Sequence, residues 1–418
     1  SQKGYSATNK PEEASLIIVN TCSVREHAEV RAIGRLNELS RYKLENPEVK
    51  LAVIGCMAQR LGEKFLKEVP ALDLILGTEE LFKLPDYLEE KGEKPIVALS
   101  FSEQREIGSL PLRKNKFFSF VAISKGCENF CSYCIVPYVR GPEKNRKVSE
   151  IIREVQCLTE SGCKEVSLIG QNVNSYKDDG NDFADLLKEV SRTDIQRIRF
   201  MTSHPKDLSP KLIDAMSDLD KICKHLHLPL QSGSDKVLER MNRKYNTLDY
   251  LRLVELVKDK VESLSLTTDL IVGFPGETDE DFQKTLEMVQ RIEFDSAFMF
   301  KYSPREGTQA FLLVDDVANE VKLERLQTLI ELQKAISQKK NKGMIGRTEE
   351  VLIDGKSKRD KASWKGKGRS NKTVIISKGT DDRNLLGEIV KVKITDADSF
   401  TLFGEIEGSV GSPDPTER

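Results

Sequence analysis

Three cysteines, Cys127, Cys131 and Cys134, stand in C-x3-C-x2-C spacing within SKGCENFCSYCIVPYVRGPEKNR (124–146). A structural zinc ion takes four ligands and a disulfide takes two thiols, so three clustered thiols ask for a different partner. A cubane [4Fe–4S] cluster bound only by protein takes four thiolates. Three leave one iron open, and an open iron can bind a substrate or cofactor. The competing reading is zinc, with Cys157 or Cys163 from the next helical stretch as a fourth thiolate. Zinc sites favour short C-x2-4-C pairs, and neither of these two forms one. The chain holds eight cysteines in 418 residues. In a long chain of a reducing compartment these are ligands, reactive thiols or core filler rather than a disulfide framework. Cys157, Cys163 and Cys223 read as core residues.

The elements that must position these thiols come from hydrophobic patterning. SLIIVNTC (15–22), VKLAVIGC (49–56) and LDLILG (72–77) read as buried strands separated by helical stretches. That alternation predicts a parallel sheet with helices on its faces. Cys22 and Cys56 both fall where a strand gives way to a loop, the place where such folds gather ligands. Residues 91–116 read as a linker. A second alternation follows, with strands expected at 117–124, 165–170, 197–202, 225–231, 265–274 and 295–303. Helical patterns fill most of the gaps between them. Six β/α units in a row predict a full or partial barrel whose site lies at the C-terminal ends of its strands. The three-cysteine loop follows the first of these strands, and GQNVNS, TSHPKD, LQSGSD and GFPGET follow later ones. A charged helix over 319–342 leads out. Short β-like runs beyond Gly346 predict a small all-β barrel of the OB-like class. The fold class is therefore α/β with a separate all-β module, divided as 1–100, 113–343 and 346–410.

The chain balances 65 Lys and Arg against 67 Asp and Glu, so net charge argues for no partner. No run is long enough to span a bilayer, and no signal-peptide pattern opens the sequence. A cytoplasmic protein is expected. The sequence begins SQKGYSATN without Met, and some native N-terminal sequence is expected to precede it.

The three-cysteine loop resembles that of the radical S-adenosylmethionine (SAM) family, and Tyr133 matches the aromatic position usual there. YCIVPYVRG, NTCSVREHAEVR, GCMAQR, TSHP and HLPLQSGSDKVLERMNRKY extend the likeness to the methylthiotransferases, most closely the tRNA-modifying MiaB type. The resemblance implies that Cys127, Cys131 and Cys134 hold the [4Fe–4S] cluster that binds SAM. It implies a second, auxiliary [4Fe–4S] cluster on Cys22, Cys56 and a cysteine expected upstream of residue 1. The mechanism that the resemblance implies uses two SAM molecules: one would methylate a sulfur held at the auxiliary cluster, and the other would yield a radical that takes hydrogen from C2 of an adenine in the tRNA anticodon loop. An unactivated aromatic C–H offers no acidity to a side chain, so the cofactor must carry that step. The implied substrate is N6-isopentenyladenosine. The implied partners are tRNA and an electron donor such as flavodoxin or ferredoxin, and the expected state is a monomer. Rival readings are methylthiolation of threonylcarbamoyladenosine or of a ribosomal-protein aspartate, and a zinc-stabilised RNA-binding protein without catalysis. PEKNR departs from the Arg-Glu-Arg-Ser-Arg-like run of the MiaB type, which leaves Lys144 and Arg146 out of the functional set.

Tyr133, Gln171, Ser203, Gln231, Ser232, Arg243 and Asp269 are candidates for SAM or adenine contact, each with turn or cap formation as the plain alternative. His225 and His227 alternate on one strand face, and His204 precedes Pro205 as a candidate substrate contact. The segment KSKRDKASWKGKGRSNK (356–372) is rich in Lys and Arg around Trp364, the single tryptophan. Phosphates need such charge and unpaired bases stack on aromatics. Its setting resembles the TRAM domain of tRNA-modifying enzymes. Trp364, Lys365, Lys367 and Arg369 are its expected RNA contacts.

Overall fold

The structure is a computed structural model that describes residues 5–23, 26–90, 92, 94–101, 115–377 and 384–407. The expected linker lies outside the described residues over 102–114. The chain divides into two compact units.

The first unit comprises residues 1–110, 126–143 and 303–311. Its sheet is β1 (Leu16–Thr21), β2 (Lys50–Gly55), β3 (Leu74–Leu76) and β4 (Ile96–Ala98), in that order and all parallel. The central strand β2 is buried along Leu51–Ile54, which is why it reads as an unbroken apolar run. Helices α1 (Glu26–Glu45), α2 (Cys56–Leu61), α3 (Phe65–Glu68) and α4 (Leu84–Glu89) follow the strands. Leu36, Leu51, Val53, Met57, Phe65 and Ile75 form the core. Strand β4 corrects the linker expectation. Ile96–Ala98 is a short β-branched run behind Pro95, and an edge strand tolerates the missing N–H. A fifth helix, α5 (Val136–Arg140), follows the three-cysteine loop.

The second unit comprises residues 111–125, 144–302 and 312–418. It contains the six expected parallel strands. β5 (Phe118–Ala122), β8 (Glu165–Ile169) and β11 (Arg197–Phe200) form one sheet in the order 11-8-5. β12 (His225–His227), β13 (Ser265–Val272) and β14 (Ser296–Lys301) form another in the order 12-13-14. An isolated parallel bridge ties Ile198 of β11 to Ile222, in the segment that leads into β12. The result is a partial (β/α)6 barrel. Two small ladders decorate it: β6 (Ser124–Lys125) with β7 (Lys144–Asn145), and β9 (Lys177–Asp178) with β10 (Asn181–Asp182).

Its helices are α6 (Val148–Glu160), α7 (Phe183–Ser191), α8 (Pro210–Asp218), α9 (Asp235–Arg240), α10 (Thr247–Lys260) and α11 (Asp279–Ile292). Their starts are encoded locally. Asp182 with Asp185, and Thr278 with Asp281, form reciprocal capping boxes on α7 and α11. Ser209 caps α8 ahead of Pro210, and Asn246 caps α10. Each helix turns an apolar stripe to the sheet. On α6 that stripe is Ile151, Val155 and Leu158, and each such burial contributes about 1.5–3 kcal/mol.

Helix α12 (Asn319–Lys342) leads to a closed five-stranded barrel. Its strands are β15 (Thr348–Lys356), β16 (Trp364–Gly368), β17 (Thr373–Ile376), β18 (Ile389–Ala397) and β19 (Thr401–Ile406). Strand β16 occupies part of the basic segment. That segment is thus half scaffold rather than wholly a surface loop.

Candidate active site

In the first unit, pairing of adjacent parallel strands sets two cysteines just past neighbouring strand ends. Thr21 of β1 is the register partner of Gly55 of β2, and the next residues are Cys22 and Cys56. Cys22 is exposed and Cys56 buried. Gly55 has φ +97°, and a Cβ there would stand 2.5 Å from Thr21 O, so the close approach needs glycine. A buried charge network braces the same spot. Ser23 Oγ donates to Glu29 (2.5 Å), and Arg60 donates to Ser23 Oγ and to Glu29 Oε2, both at 2.9 Å. Arg305 adds a second guanidinium on Glu29 Oε2 at 3.1 Å.

The three-cysteine loop belongs to this unit too. Gly126 has φ +79°, and a Cβ would meet Pro142 O at 2.0 Å, so only glycine lets the loop close. Cys127 N then donates to Gly141 O (3.2 Å), and Cys134 N donates to Cys131 O (2.9 Å). Ala310 N donates to Ser132 O (2.7 Å), which pins the loop to the 303–311 segment. Phe130 takes φ 47°, a left-handed conformation that a bulky residue avoids and that concentrates at functional sites. Cys127 and Cys131 are buried, and Cys134 and Tyr133 are half-buried. Val139 of helix α5 and its N-cap Ile135 pack on Cys56, and Arg140 Nε donates to Cys56 Sγ at 3.3 Å.

Among the described residues, no three His, Cys, Asp or Glu side chains converge as they would around a single metal ion. A cubane asks for less convergence, since each thiolate binds a different iron. The zinc alternative fails on its fourth ligand. Cys163 is a core thiol whose Sγ–H donates to Glu165 O at 3.2 Å. Cys223 is buried in the second unit, and Cys157 is half-buried on α6.

In the second unit, the C-terminal ends of the strands carry buried oxygens without partners. These are Ser124 Oγ after β5, Asn172 Oδ1 after β8, Ser203 Oγ after β11 and Gln231 Oε1 after β12. Thr202 and Gln231 take φ 67° and 69° there. Buried acceptors and hydroxyls left unpaired each cost about 1–3 kcal/mol unless a ligand satisfies them. The amino, carboxylate and hydroxyl groups of SAM are of the right chemistry, so these residues fit that cofactor. Asp269 on β13 is part-exposed and lies 3.4 Å from His227 Nε2. Gln171 is half-buried.

Other predicted residues have structural duties. Ser232 is fully buried, and its Oγ accepts from Ser234 N (3.2 Å). Arg243 stacks on Tyr245, and its Nη2 donates to Pro229 O (3.3 Å), so it clamps the turn that carries Gln231. His225 Nε2 and His227 Nδ1 both lie 3.0 Å from Thr267 Oγ1, in a hydrogen-bond chain rather than a metal site. His204 is buried, and its Nδ1 accepts from Lys206 N (3.2 Å). Burial, then the charges of Arg243 and Lys206, push its pKa down to about 2. Its Nδ1 thus serves as a neutral cap acceptor. Arg146 is spent on Glu154 and Ala122 O, both at 2.7 Å.

The basic segment is redirected. Arg199 donates to Gly368 O (2.9 Å) and Arg369 O (3.1 Å), and Arg197 donates to Lys367 O (3.2 Å). Arg369 donates to Ile222 O (2.9 Å) and to Asp220 O. Desolvation lowers the Lys367 pKa. Lys367 and Arg369 therefore dock the small barrel on the N-terminal end of the parallel one. Lys365 pairs with Asp354 at 3.2 Å, and Lys356 Nζ sits 3.2 Å above the Trp364 ring. The exposed cations of the segment are Lys356, Lys358, Arg359 and Lys361.

Sequence reasoning missed Asn172, Ser124, Arg60 and Arg140, although all lie in or beside motifs it had singled out. Their roles depend on which strand ends meet, and spacing along the chain does not report that.

Comparison with known families places these features. Residues 121–289 match the radical SAM superfamily, 1–77 the uncharacterized protein family UPF0004, and 342–406 the TRAM domain. The fold is similar to that of the radical SAM methyltransferase TsrM from Kitasatospora setae. That match has TM-score 0.53 and 13% identity over 69% of this chain and 61% of that one. It is similar also to the cobalamin-dependent radical enzyme OxsB, with TM-score 0.51 and 13% identity over 76% and 48%. The chain is thus a radical SAM enzyme, which implies a [4Fe–4S] cluster and SAM. A protein of Caldicellulosiruptor saccharolyticus named tRNA-2-methylthio-N(6)-dimethylallyladenosine synthase is 49% identical over 412 residues, covering 96% of this chain and 87% of its own. The protein of that name from Desulfitobacterium hafniense is 46% identical over 97% and 92%. The chain belongs to this family of tRNA methylthiotransferases.

Proposed function

We propose that this chain adds a methylthio group to C2 of N6-isopentenyladenosine beside the anticodon of tRNA. One observation carries the reading: a three-thiol loop with its glycine-only closure stands in a chain 49% identical, almost end to end, to a synthase of that product. Cys127, Cys131 and Cys134 hold the cluster that binds SAM, and Cys22 and Cys56 supply two ligands of an auxiliary cluster. When bound, these groups supply the electron that cleaves SAM to a hydrogen-abstracting radical and the sulfur that is transferred. The protein's own contribution is binding and exclusion of water. Gln231, Ser203 and Asn172 offer buried oxygens to SAM, Gln171 and Asp269 flank them, and Arg243 fixes the Gln231 turn. Tyr133 lines the cysteine loop. Burial of these groups strengthens each polar contact by lowering the local dielectric.

Three domains, 1–100, 113–343 and 346–410, divide the work, with the last on the tRNA. Trp364 and Lys365 remain candidate RNA contacts, joined by the exposed Lys358, Arg359 and Lys361. A monomer working in the cytoplasm with flavodoxin or ferredoxin as reductant completes the reading, since tRNA and low-potential carriers meet there. No helix among the described residues is long and apolar enough to cross a membrane.

The test is nucleoside mass spectrometry of tRNA after turnover with SAM, dithionite and sulfide. Methylthiolation of isopentenyladenosine, and none of threonylcarbamoyladenosine, is expected. The reverse preference would overturn the substrate assignment.

A further inference from the structure

We infer that Arg140 is a positioning residue for the auxiliary cluster: its guanidinium holds Cys56 Sγ and sets the reduction potential there. This rests on the reading of Cys56 as an auxiliary-cluster ligand. Arg140 is the last residue of α5, and Gly141, with φ 72°, ends that helix just beyond it. Its Nε–H donates to Cys56 Sγ at 3.3 Å, well inside the range for sulfur acceptors. Cys56 opens α2, so the contact joins the helix that leaves the radical loop to the helix that starts at an auxiliary ligand. The approach is over-determined. Ile135, the N-cap of α5, and Val139 within it pack on Cys56, and Thr78 Oγ1 donates to Val139 O at 2.9 Å.

The chemistry follows from charge. A guanidinium stays protonated at any working pH. A hydrogen bond and a fixed cation at a ligand sulfur favour the more negative, reduced state of a cluster and so raise its potential. The neighbouring cations are differently engaged: Arg60 and Arg305 both lie on the Glu29 carboxylate. The planar fork of Arg aims Nε–H at the sulfur from a fixed angle, which a flexible ammonium does not reproduce. Arg140 thus connects the two clusters mechanically through α5 and tunes one of them electrically.

The test uses the full-length holoenzyme, anaerobically reconstituted, as Arg140→Gln, Arg140→Lys and Cys56→Ala beside the parent. Iron per chain and EPR-monitored redox titration of both clusters are the readouts. The expected result is a more negative auxiliary potential in Arg140→Gln, a smaller shift in Arg140→Lys, and an unmoved SAM-binding cluster. Loss of the auxiliary iron in Arg140→Gln but not in Arg140→Lys, at unchanged melting temperature, would equally support the role. An unmoved auxiliary potential at full iron content would overturn it, as would loss of iron in both variants together with a lowered melting temperature. If Cys56→Ala keeps both clusters, the auxiliary reading itself fails, which separates the two failures.

Discussion

The two ends of the parallel barrel bury polar groups in opposite ways. At the N-terminal ends of the strands, Glu165 lies 3.0 Å from Arg197 and 3.1 Å from Arg199, and both arginines donate on to carbonyls of the β16–β17 hairpin. Asp295 takes Lys340 at 2.6 Å and Lys372 at 2.8 Å, and the two lysines hold its carboxyl below the usual range against the opposing effect of burial. At the C-terminal ends, Ser124, Asn172, Ser203 and Gln231 bury oxygens that meet no protein partner. A charge cluster in which carboxylates are matched by cations makes an assembly rigid, even with Arg197 Nε and His225 Nδ1 left without hydrogen-bond partners there, whereas unpaired buried oxygens and left-handed backbone concentrate at functional sites. The comparison teaches that one end of this barrel is a docking floor, while the other holds the unpaired oxygens that the proposed SAM site would use.

The sharpest way to break the comparison is Glu165→Ala. It leaves two buried guanidinium groups short of their carboxylate, and a loss of about 3–5 kcal/mol in denaturant unfolding is expected. A loss below 1 kcal/mol would mean that the floor is not a charge lock. Next comes Arg369→Ala, which removes charged hydrogen bonds to two backbone carbonyls. It should cost about 1.5–3 kcal/mol while tRNA affinity of the folded fraction stays put. Lys358→Glu with Lys361→Glu should do the reverse, weakening tRNA binding and flattening its salt dependence. A large affinity loss in Arg369→Ala without destabilisation would return that residue to the RNA surface.

A smaller effect is read as a slope. His204 is neutral in the folded state, with its pKa pushed down to about 2. An unfolded histidine takes up a proton below about pH 6.5, so the unfolded chain binds more protons there and stability falls with acid. His204→Asn keeps a cap acceptor and removes the proton. It should lessen that fall by up to about 1.4 kcal/mol per pH unit below pH 6.5. An unchanged slope would mean that the ring is hydrated. The smallest effect is Gln231→Gly. Relief of the left-handed strain should stabilise the fold by about 0.5–1 kcal/mol, while SAM binding weakens. Tighter SAM binding would remove Gln231 from the mouth.

Much of this was readable in the sequence because it is local. C-x3-C-x2-C spacing, apolar runs and cap residues such as Asp182 and Thr278 act within a few residues of themselves. All six barrel strands were therefore found. Strand β4 was hidden by its length and by Pro95, and β16 by the lysines that fill it. For Lys367 and Arg369 composition reports the charge and not its partners, which include the backbone carbonyls of Asn371, Asp220 and Ile222. Ser232 and Ser203 have identical chemistry in similar turns, and only the partners that the fold gives Ser232, Ser234 N and Thr285 Oγ1, separate a scaffold hydroxyl from an unpaired one. Arg140 belonged to a quoted motif, but its partner lies 84 residues away in the chain.

The central claim, that three thiols leave one iron open for SAM, is tested most directly by anaerobic iron and sulfide analysis with EPR of the reduced enzyme, with and without SAM. The parent and a Cys127→Ala/Cys131→Ala/Cys134→Ala variant are compared. Two clusters in the parent, one of them shifted by SAM and absent from the variant, are predicted. A parent with a single cluster that ignores SAM, or with zinc in its place, would contradict the account.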